Sequence, residues 1–511
     1  MRAHAARRAL SMLESSRATN PHTAWEMAAV GAMIIRIVSI LQLVARCATG
    51  VTTPRWVGSS DGCSCWAEPD LCELSPTCIF TATPYEAATA NTRAAAPVPA
   101  TCEPAHIVLV ARHGSRYMTK GTSGQMGRLV ATLRTAARAA AAAAPLPPFV
   151  ERWAPTPHPP GALAPLGALE LGALGARLRA LLGPATLVRG RAQVRWTSSN
   201  RTRASANAFL APFAQRERGA AAWLLARGMA DDPLLRFFDA CPRYERSLRS
   251  EATMAAADAF AAGAEMTAAR RALGDALGLA PAAAPLLSAE DVVLVAKACA
   301  LELILSHGCD AADWCALLMR APPALSASGQ LEDVRKYFER GPGVALNFML
   351  STELVRHIFA RLAAAAAPVH GDGFGADLLF AHAETLLPLL AALGLPAASL
   401  PRSHGARRSG AYPNGTCALS PYAANLALIL YRCSAQGAPA EQLRVLLNER
   451  DVVGELDGCS PGATLCPLRA VAGGARVRDA LARYGYASVS DMCADDDQYS
   501  SRSQHAEQTL P

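Results

Sequence analysis

The stretch His106-Ile107-Val108-Leu109-Val110-Ala111-Arg112-His113-Gly114-Ser115-Arg116 decides how the rest of the chain is read. The run from His106 to Ala111 is short, apolar and β-branched, which predicts a buried strand. Directly after it an imidazole stands between two guanidiniums. A phosphate monoester dianion needs several fixed donors around its oxygens, and Arg offers planar, permanently charged forks. Gly114 lets the backbone approach such a group closely. An imidazole between two guanidiniums is disfavoured as a cation, so His113 stays neutral and nucleophilic at acidic pH. The bland alternative is an Arg-rich loop with an incidental His, and Arg is abundant here: only Lys120, Lys297 and Lys336 are lysines among 49 basic residues.

Two more strand ends carry candidate chemistry. Gln193–Thr197 predicts a second strand, followed by Ser198-Ser199-Asn200-Arg201-Thr202-Arg203-Ala204-Ser205, where Arg201 can close a phosphate cage from the opposite side. Ala376–Ala381 (ADLLFA) predicts a third, followed by His382-Ala383-Glu384 at the start of an apolar helix. His382 can donate to a phosphate, and Glu384 can protonate a leaving oxygen if the site raises its pKa. An ordinary capped helix with a surface Glu is the alternative. Lys120 is a candidate for a second phosphate at the rim, or a solvated Lys.

The rest of the chain frames these three segments. With 511 residues, 51% hydrophobic and 18% charged, it has the balance of a globular protein with more than one packed unit. A net charge of +7 suits a phosphorylated substrate but falls far short of a nucleic-acid arm. An Ala-rich helix is expected over 136–148, an amphipathic helix over Leu163–Leu182, and almost unbroken helix over 215–350, with an N-terminal cap at Ser288. A further strand is expected at Ala427–Tyr431. Strands and helices alternate at both ends around a helical block, which reads as an α/β sheet with an inserted all-helical cap. The expected organisation is a leader (1–50), a Cys-rich loop segment (51–104), a discontinuous α/β catalytic domain (105–215 and 350–490), the cap (216–349) and a disordered tail (491–511).

Compartment is read from the leader and the cysteines. Met27–Ala48 is mostly apolar but interrupted by Arg36, which fits a signal peptide with its core at Ile37–Ala45 better than a membrane anchor, the runner-up. Of 15 cysteines, Cys63, Cys65, Cys72, Cys78 and Cys102 crowd the segment before the first strand. Their spacing lacks the paired knuckles of a zinc site, so disulfides in an oxidising compartment are expected, with Cys459 and Cys466 able to close on each other. Asn200 and Asn414 head glycosylation sequons; a glycan beside Arg201 would block the pocket, so only Asn414 is expected to be modified.

Together the three elements resemble the histidine acid phosphatases, and within them the multiple inositol polyphosphate phosphatases. The family pattern RHGxRxP stands here as RHGSRYM, with Met118 where proline is usual. Most of the family has a His-Asp pair where this chain, like the inositol polyphosphate branch, has His-Ala-Glu. FFDAC (Phe237–Cys241), KYFERGPG (Lys336–Gly343), SPYAANL (Ser420–Leu426) and LLNER (Leu446–Arg450) are similar to that branch too. The resemblance implies a phosphoglycerate-mutase-like sheet domain, His113 as the nucleophile that becomes phosphohistidine, and Arg112, Arg116, Arg201 and His382 as phosphate ligands. It implies Glu384 as the acid, no metal and no organic cofactor. Substrates would be inositol phosphates up to the hexakisphosphate, and 2,3-bisphosphoglycerate in some members. A general acid phosphatase, a polyphosphate-binding protein without turnover and a phosphoglycerate mutase are the competing readings. Met118 leaves the rigidity of the loop open, since proline would fix φ after Tyr117.

Overall fold

The structure, a computed structural model, describes residues 79–89, 96–139, 145–215, 219–230, 232–279, 286–306, 313–367, 373–395, 415–435 and 438–494. The expected leader, Cys47, Cys63, Cys65, Cys72, Cys78, Asn414 and the tail beyond 494 lie outside the described residues.

The strands in chain order are β1 (Cys102–Arg112), β2 (Leu187–Trp196), β3 (Met229–Ala230), β4 (Phe374–Ala381), β5 (Asn425–Ala435), β6 (Ala438–Leu447), β7 (Arg450–Asp451) and β8 (Cys466–Pro467). They form one mixed sheet in the order β3-β2-β4-β1-β5-β6-β7, with β8 on β6. β2, β4 and β1 are parallel; β5 and β6 are antiparallel to their neighbours. β1 lies between β4 and β5 and is buried without a break from Ala105 to Arg112, which is why its sequence runs continuously apolar instead of alternating. Three of the four expected strands lie within longer observed ones, and Gln193–Thr197 overlaps β2 but runs one residue past its end at Trp196. β6 escaped the sequence because Arg444 interrupts its apolar run; that guanidinium is fully buried, bonded to Asp451 (2.7 and 2.9 Å) and to Ala96 O (2.6 Å).

The helices that matter for the site are α1 (Lys120–Ala139), α2 (Pro165–Leu181), α3 (Asn200–Phe213), α4 (Ala289–Leu305), α5 (Pro322–Arg340), α6 (Thr352–Ala366) and α7 (Ala383–Leu393). Alternate β1 side chains face opposite layers. Val108 and Val110 pack with Leu354, Ile358 and Leu362 of α6 and with the apolar face of α7. Ile107, Leu109 and Ala111 pack with Leu174 of α2 and Phe209 of α3. A separate apolar cluster joins Met126, Leu129, Val130 and Leu133 of α1 to α4, α5 and the helices Ala264–Ala276 and Asp313–Arg320. The helix expected at 136–148 is a correction: α1 already begins at Lys120, and Pro145-Leu146-Pro147 is not helical. Helical spacing of large apolar residues at 126, 129, 130 and 133 places that element, while the alanines that drew attention offer little area to bury. Ser288 caps α4 as expected, in a reciprocal pair with Asp291.

Disulfides join Cys102–Cys433, Cys241–Cys493, Cys299–Cys315 and Cys459–Cys466, the last as its spacing suggested. Cys417 is disulfide-bonded as well. Such bonds persist in oxidising compartments. No described helix is long and apolar enough to cross a membrane.

Candidate active site

Strand register brings three segments off the sheet at one edge. Arg112 of β1 is level with Ala381 of β4, and Trp196 of β2 with Phe380. The residues that follow are therefore neighbours: His113 donates its backbone N–H to Ala381 O (3.0 Å) and Thr197 to Phe380 O (3.3 Å). This is the carboxyl end of the parallel strands, the usual place for a site in an open α/β sheet.

His113 is 3% exposed, and its Nδ1 lies 2.9 Å from Gly114 O. A carbonyl only accepts, so Nδ1 carries the proton and Nε2 keeps its lone pair. Burial, then the charges of Arg112, Arg201, His382 and Arg116, hold the imidazole pKa well below its ordinary value. The ring is thus neutral and nucleophilic through the acidic range.

The loop is fixed from behind. A Cβ at Gly114 would sit 2.6 Å from Gly167 Cα, so backbone meets backbone where α2 begins. Buried Glu170 of α2 accepts from Ser115 N (2.7 Å), Ser115 Oγ (2.8 Å) and Tyr85 N (2.8 Å); burial pushes its pKa up to about 7. Residues 115–118 also zip onto 161–164: Tyr117 N donates to Ala162 O (3.0 Å), Ala164 N to Ser115 O (2.8 Å) and Gly161 N to Met118 O (2.8 Å). Met118 packs against the helical apolar cluster. The rigidity that a proline would confer comes here from this ladder and from packing.

Guanidiniums surround the imidazole. Arg112 is buried, its Nη1 donating to Thr81 O (2.5 Å) and Ser420 O (2.7 Å), with its Cζ 4.4 Å from the Tyr422 ring centre. Burial lowers its pKa to about 10, which leaves it charged at any pH of interest. Arg116 donates through Nη1 to Tyr117 O (2.9 Å). Arg201 of α3 places Nη2 3.2 Å from His382 Nδ1. In each of Arg112, Arg116 and Arg201 the Nε is buried without a hydrogen-bond partner. An unmet buried donor on a cation is costly, and three such cations acting together on one imidazole favour an anion among them.

His382 caps the N-terminus of α7, 5.4 Å centre to centre from His113, with Nε2 2.9 Å from Thr197 Oγ1 and 3.4 Å from Arg236 Nη1. Burial brings its pKa down to about 3. Glu384 follows in the first turn of α7 and shares a cleft with Arg201, Arg236, Arg340 and His382. The acid role read from the sequence requires a raised pKa, and here the shift runs the other way. Burial alone would raise it, but Arg340, His382 and Lys336 outweigh burial and bring it down to about 2. Sequence spacing placed Glu384 near His382 but could not show a cation arriving from α5. Lys120 is exposed at the first turn of α1 and does not line this cleft.

The fold thus brings His113, Arg112, Arg116, Arg201, His382 and Glu384 together. Arg236, Arg340 and Tyr422 join them unassigned by the sequence reading, and Glu170 supports them from behind. In so Arg-rich a chain both arginines read as surface; only the motifs that adjoin or hold them (FFDAC, KYFERGPG) set them apart, and Tyr422 lies in SPYAANL.

The family model of the histidine phosphatase superfamily (branch 2) matches residues 105–448, from β1 to just past β6. The chain belongs to this family. This histidine phosphatase is 31% identical over 380 residues to multiple inositol polyphosphate phosphatase 1 of Gallus gallus, a match covering 70% of the chain and 79% of that relative. It is 28% identical over 394 residues to the Homo sapiens protein of the same name, covering 68% and 75%. Two solved structures share the fold. The multiple inositol polyphosphate phosphatase of Bifidobacterium longum, in complex with inositol hexasulfate, has a TM-score of 0.56 at 16% identity, covering 76% of this chain and 96% of that one. The phytase from D. castellii has a TM-score of 0.57 at 15% identity, covering 80% and 87%.

Proposed function

We propose that this histidine phosphatase hydrolyses inositol polyphosphates, up to the hexakisphosphate, through a phosphohistidine on His113. The observation that carries the reading is the neutral, buried imidazole with its Nε2 lone pair free, set among the positive charges of Arg112, Arg201 and Arg116. Arg112, Arg116, Arg201 and His382 hold the scissile phosphate while Nε2 attacks phosphorus in line with the ester oxygen. Glu384 gives the departing inositol oxygen its proton, then takes one from the water that attacks the phosphoenzyme. The names of the Gallus gallus and Homo sapiens relatives and the hexasulfate complex of the Bifidobacterium longum protein support the substrate class.

Residues 105–215 and 350–490 make the catalytic domain, and 216–349 make a cap that supplies part of the cleft. The disulfides support a route through the secretory pathway, ending in the endoplasmic reticulum lumen or outside the cell, with a membrane attachment only if the leader is retained as an anchor. Asn414 carries a glycan, and Lys120 serves at most as a rim contact.

Chromatographic product analysis with inositol hexakisphosphate at several pH values tests this reading. Stepwise release of lower inositol phosphates is expected, lost in His113→Ala. Hexakisphosphate binding without release would instead establish a binding protein. Equal kcat/KM for hexakisphosphate and simple alkyl phosphates would establish a general acid phosphatase.

A further inference from the structure

Arg340 is the cleft residue whose state is hardest to explain if phosphate binding is its only task. It ends α5 and reaches the cleft from the helical block, opposite the sheet. Its guanidinium carbon lies 5.2 Å from the Tyr244 ring centre and 5.6 Å from that of Phe238, so two aromatic rings hold the cation in place. Even so, its Nε and Nη1 are buried with no hydrogen-bond partner. The cation is positioned and unspent, and the largest opposite charge it feels is Glu384.

The other charges around Glu384 are accounted for. Lys336, also on α5, is paired with Glu339 at 2.6 Å. Arg236, from the segment before Phe237, is paired with Asp239 at 2.5 Å. Arg112 from β1, Arg201 from α3 and His382 at the cap of α7 face the position assigned above to the scissile phosphate. Glu245, on the helix Pro242–Ser247, adds a carboxylate to the same cleft. Arg340 is left as the cation whose leading opposite charge is Glu384, ahead of Asp239, which Arg236 already holds. In the empty enzyme Glu384 is consequently ionised, the wrong state for a proton donor.

Resting on the function proposed above, we infer that Arg340 is a positioning residue that keeps Glu384 as a carboxylate in the empty enzyme and releases it when a neighbouring phosphate of the substrate takes the guanidinium. Two anions then share one cation, and Glu384 gains a proton from solvent. That proton passes to the inositol oxygen as its bond to phosphorus breaks and the bond to His113 Nε2 forms. The carboxylate left behind takes a proton from the water that later cleaves the phosphoenzyme. Substrates with a second phosphate thus switch on their own acid, whereas a lone phosphate leaves Glu384 with Arg340.

The test compares kcat against pH for inositol hexakisphosphate and for myo-inositol monophosphate, in the native enzyme, in Arg340→Gln and in Arg340→Lys. In the native enzyme the basic limb for hexakisphosphate should lie at least one pH unit above that for the monophosphate. Arg340→Gln should raise monophosphate turnover at pH 5–6 and carry its limb up to that of hexakisphosphate, while KM for hexakisphosphate rises. Arg340→Lys, which keeps the charge, should retain the separation. Thermal melts of both variants establish folding. Parallel loss on both substrates with unmoved limbs, or a KM change alone, overturns the inference and leaves the phosphatase reading intact. Failure of the native enzyme to release phosphate from hexakisphosphate overturns the function itself.

Discussion

Gly114→Ala probes whether the nucleophile is placed by the backbone contact behind it. A methyl group there would lie 2.6 Å from Gly167 Cα and 2.7 Å from its carbonyl carbon, and closer still to the carbonyl oxygen. Against ordinary contact beginning at 3.4 Å, the shortfall at Cα is 0.8 Å, and both partners are main chain with no rotamer to yield. The contact is mutual, because a Cβ at Gly167 would lie 2.6 Å from Ser115 N. The loop must then move by roughly 1 Å relative to α2, which also stretches the bonds from Ser115 to Glu170. Overpacking of this kind costs about 1–3 kcal/mol of stability. A displacement of about 1 Å at a reacting group costs about 100-fold in rate, or roughly 2.7 kcal/mol of activation free energy. Phosphate release from inositol hexakisphosphate at saturation, with a urea titration of the same sample, reads both quantities. A variant with kcat within twofold of the native value and an unchanged urea midpoint would refute the idea that this contact sets the position of His113.

Two further outcomes follow from charge and from cross-linking. His382 is buried neutral with a pKa near 3, so the unfolded chain binds a proton below about pH 6.5 that the folded chain refuses, and stability is lost as pH falls through that window. Glu170, its pKa raised to about 7, works in the opposite direction, so the contribution of His382 is read as a difference. Between pH 6.5 and 5 the stability of His382→Asn, relative to the native protein, should improve by about 1.6 kcal/mol in urea titrations; a pH-independent difference would contradict the buried neutral imidazole. The Cys299–Cys315 bond spans a sequence separation of 16 within the helical block. Replacing both by Ser should cost about 3 kcal/mol in the same measurement, while the double variant still releases phosphate; an unchanged midpoint would argue against the bond.

Local sequence carried the strands and the catalytic loop because their signals are local. β1 announces itself by an unbroken apolar run, and the imidazole between two arginines follows it directly. His382 and Glu384 were legible for the same reason, at the end of a second buried strand. The positions of Arg236 and Arg340 could not be read in the same way. They are distant in sequence, and in an Arg-rich chain nothing but tertiary packing separates a buried guanidinium from a solvated one. Arg444 hid β6 by the same effect. The ionisation of Glu384 is not legible in the sequence because it depends on that packing: burial, the visible influence, raises a carboxyl pKa, and the opposing cation arrives from α5. Glu170 stands three residues past Gly167 in a helix of small residues and leucines, and only the fold shows that it faces Ser115.

The most direct measurement is rapid acid-free quench of the native enzyme with isotopically labelled inositol hexakisphosphate, followed by peptide mapping under alkaline conditions that preserve phosphohistidine. The account predicts up to one equivalent of label per chain, on the peptide containing His113 and at Nε2, because Nδ1 is committed to Gly114 O. The label should be absent in His113→Ala. Label on His382, label at Nδ1, or turnover by His113→Ala at the native rate would contradict it.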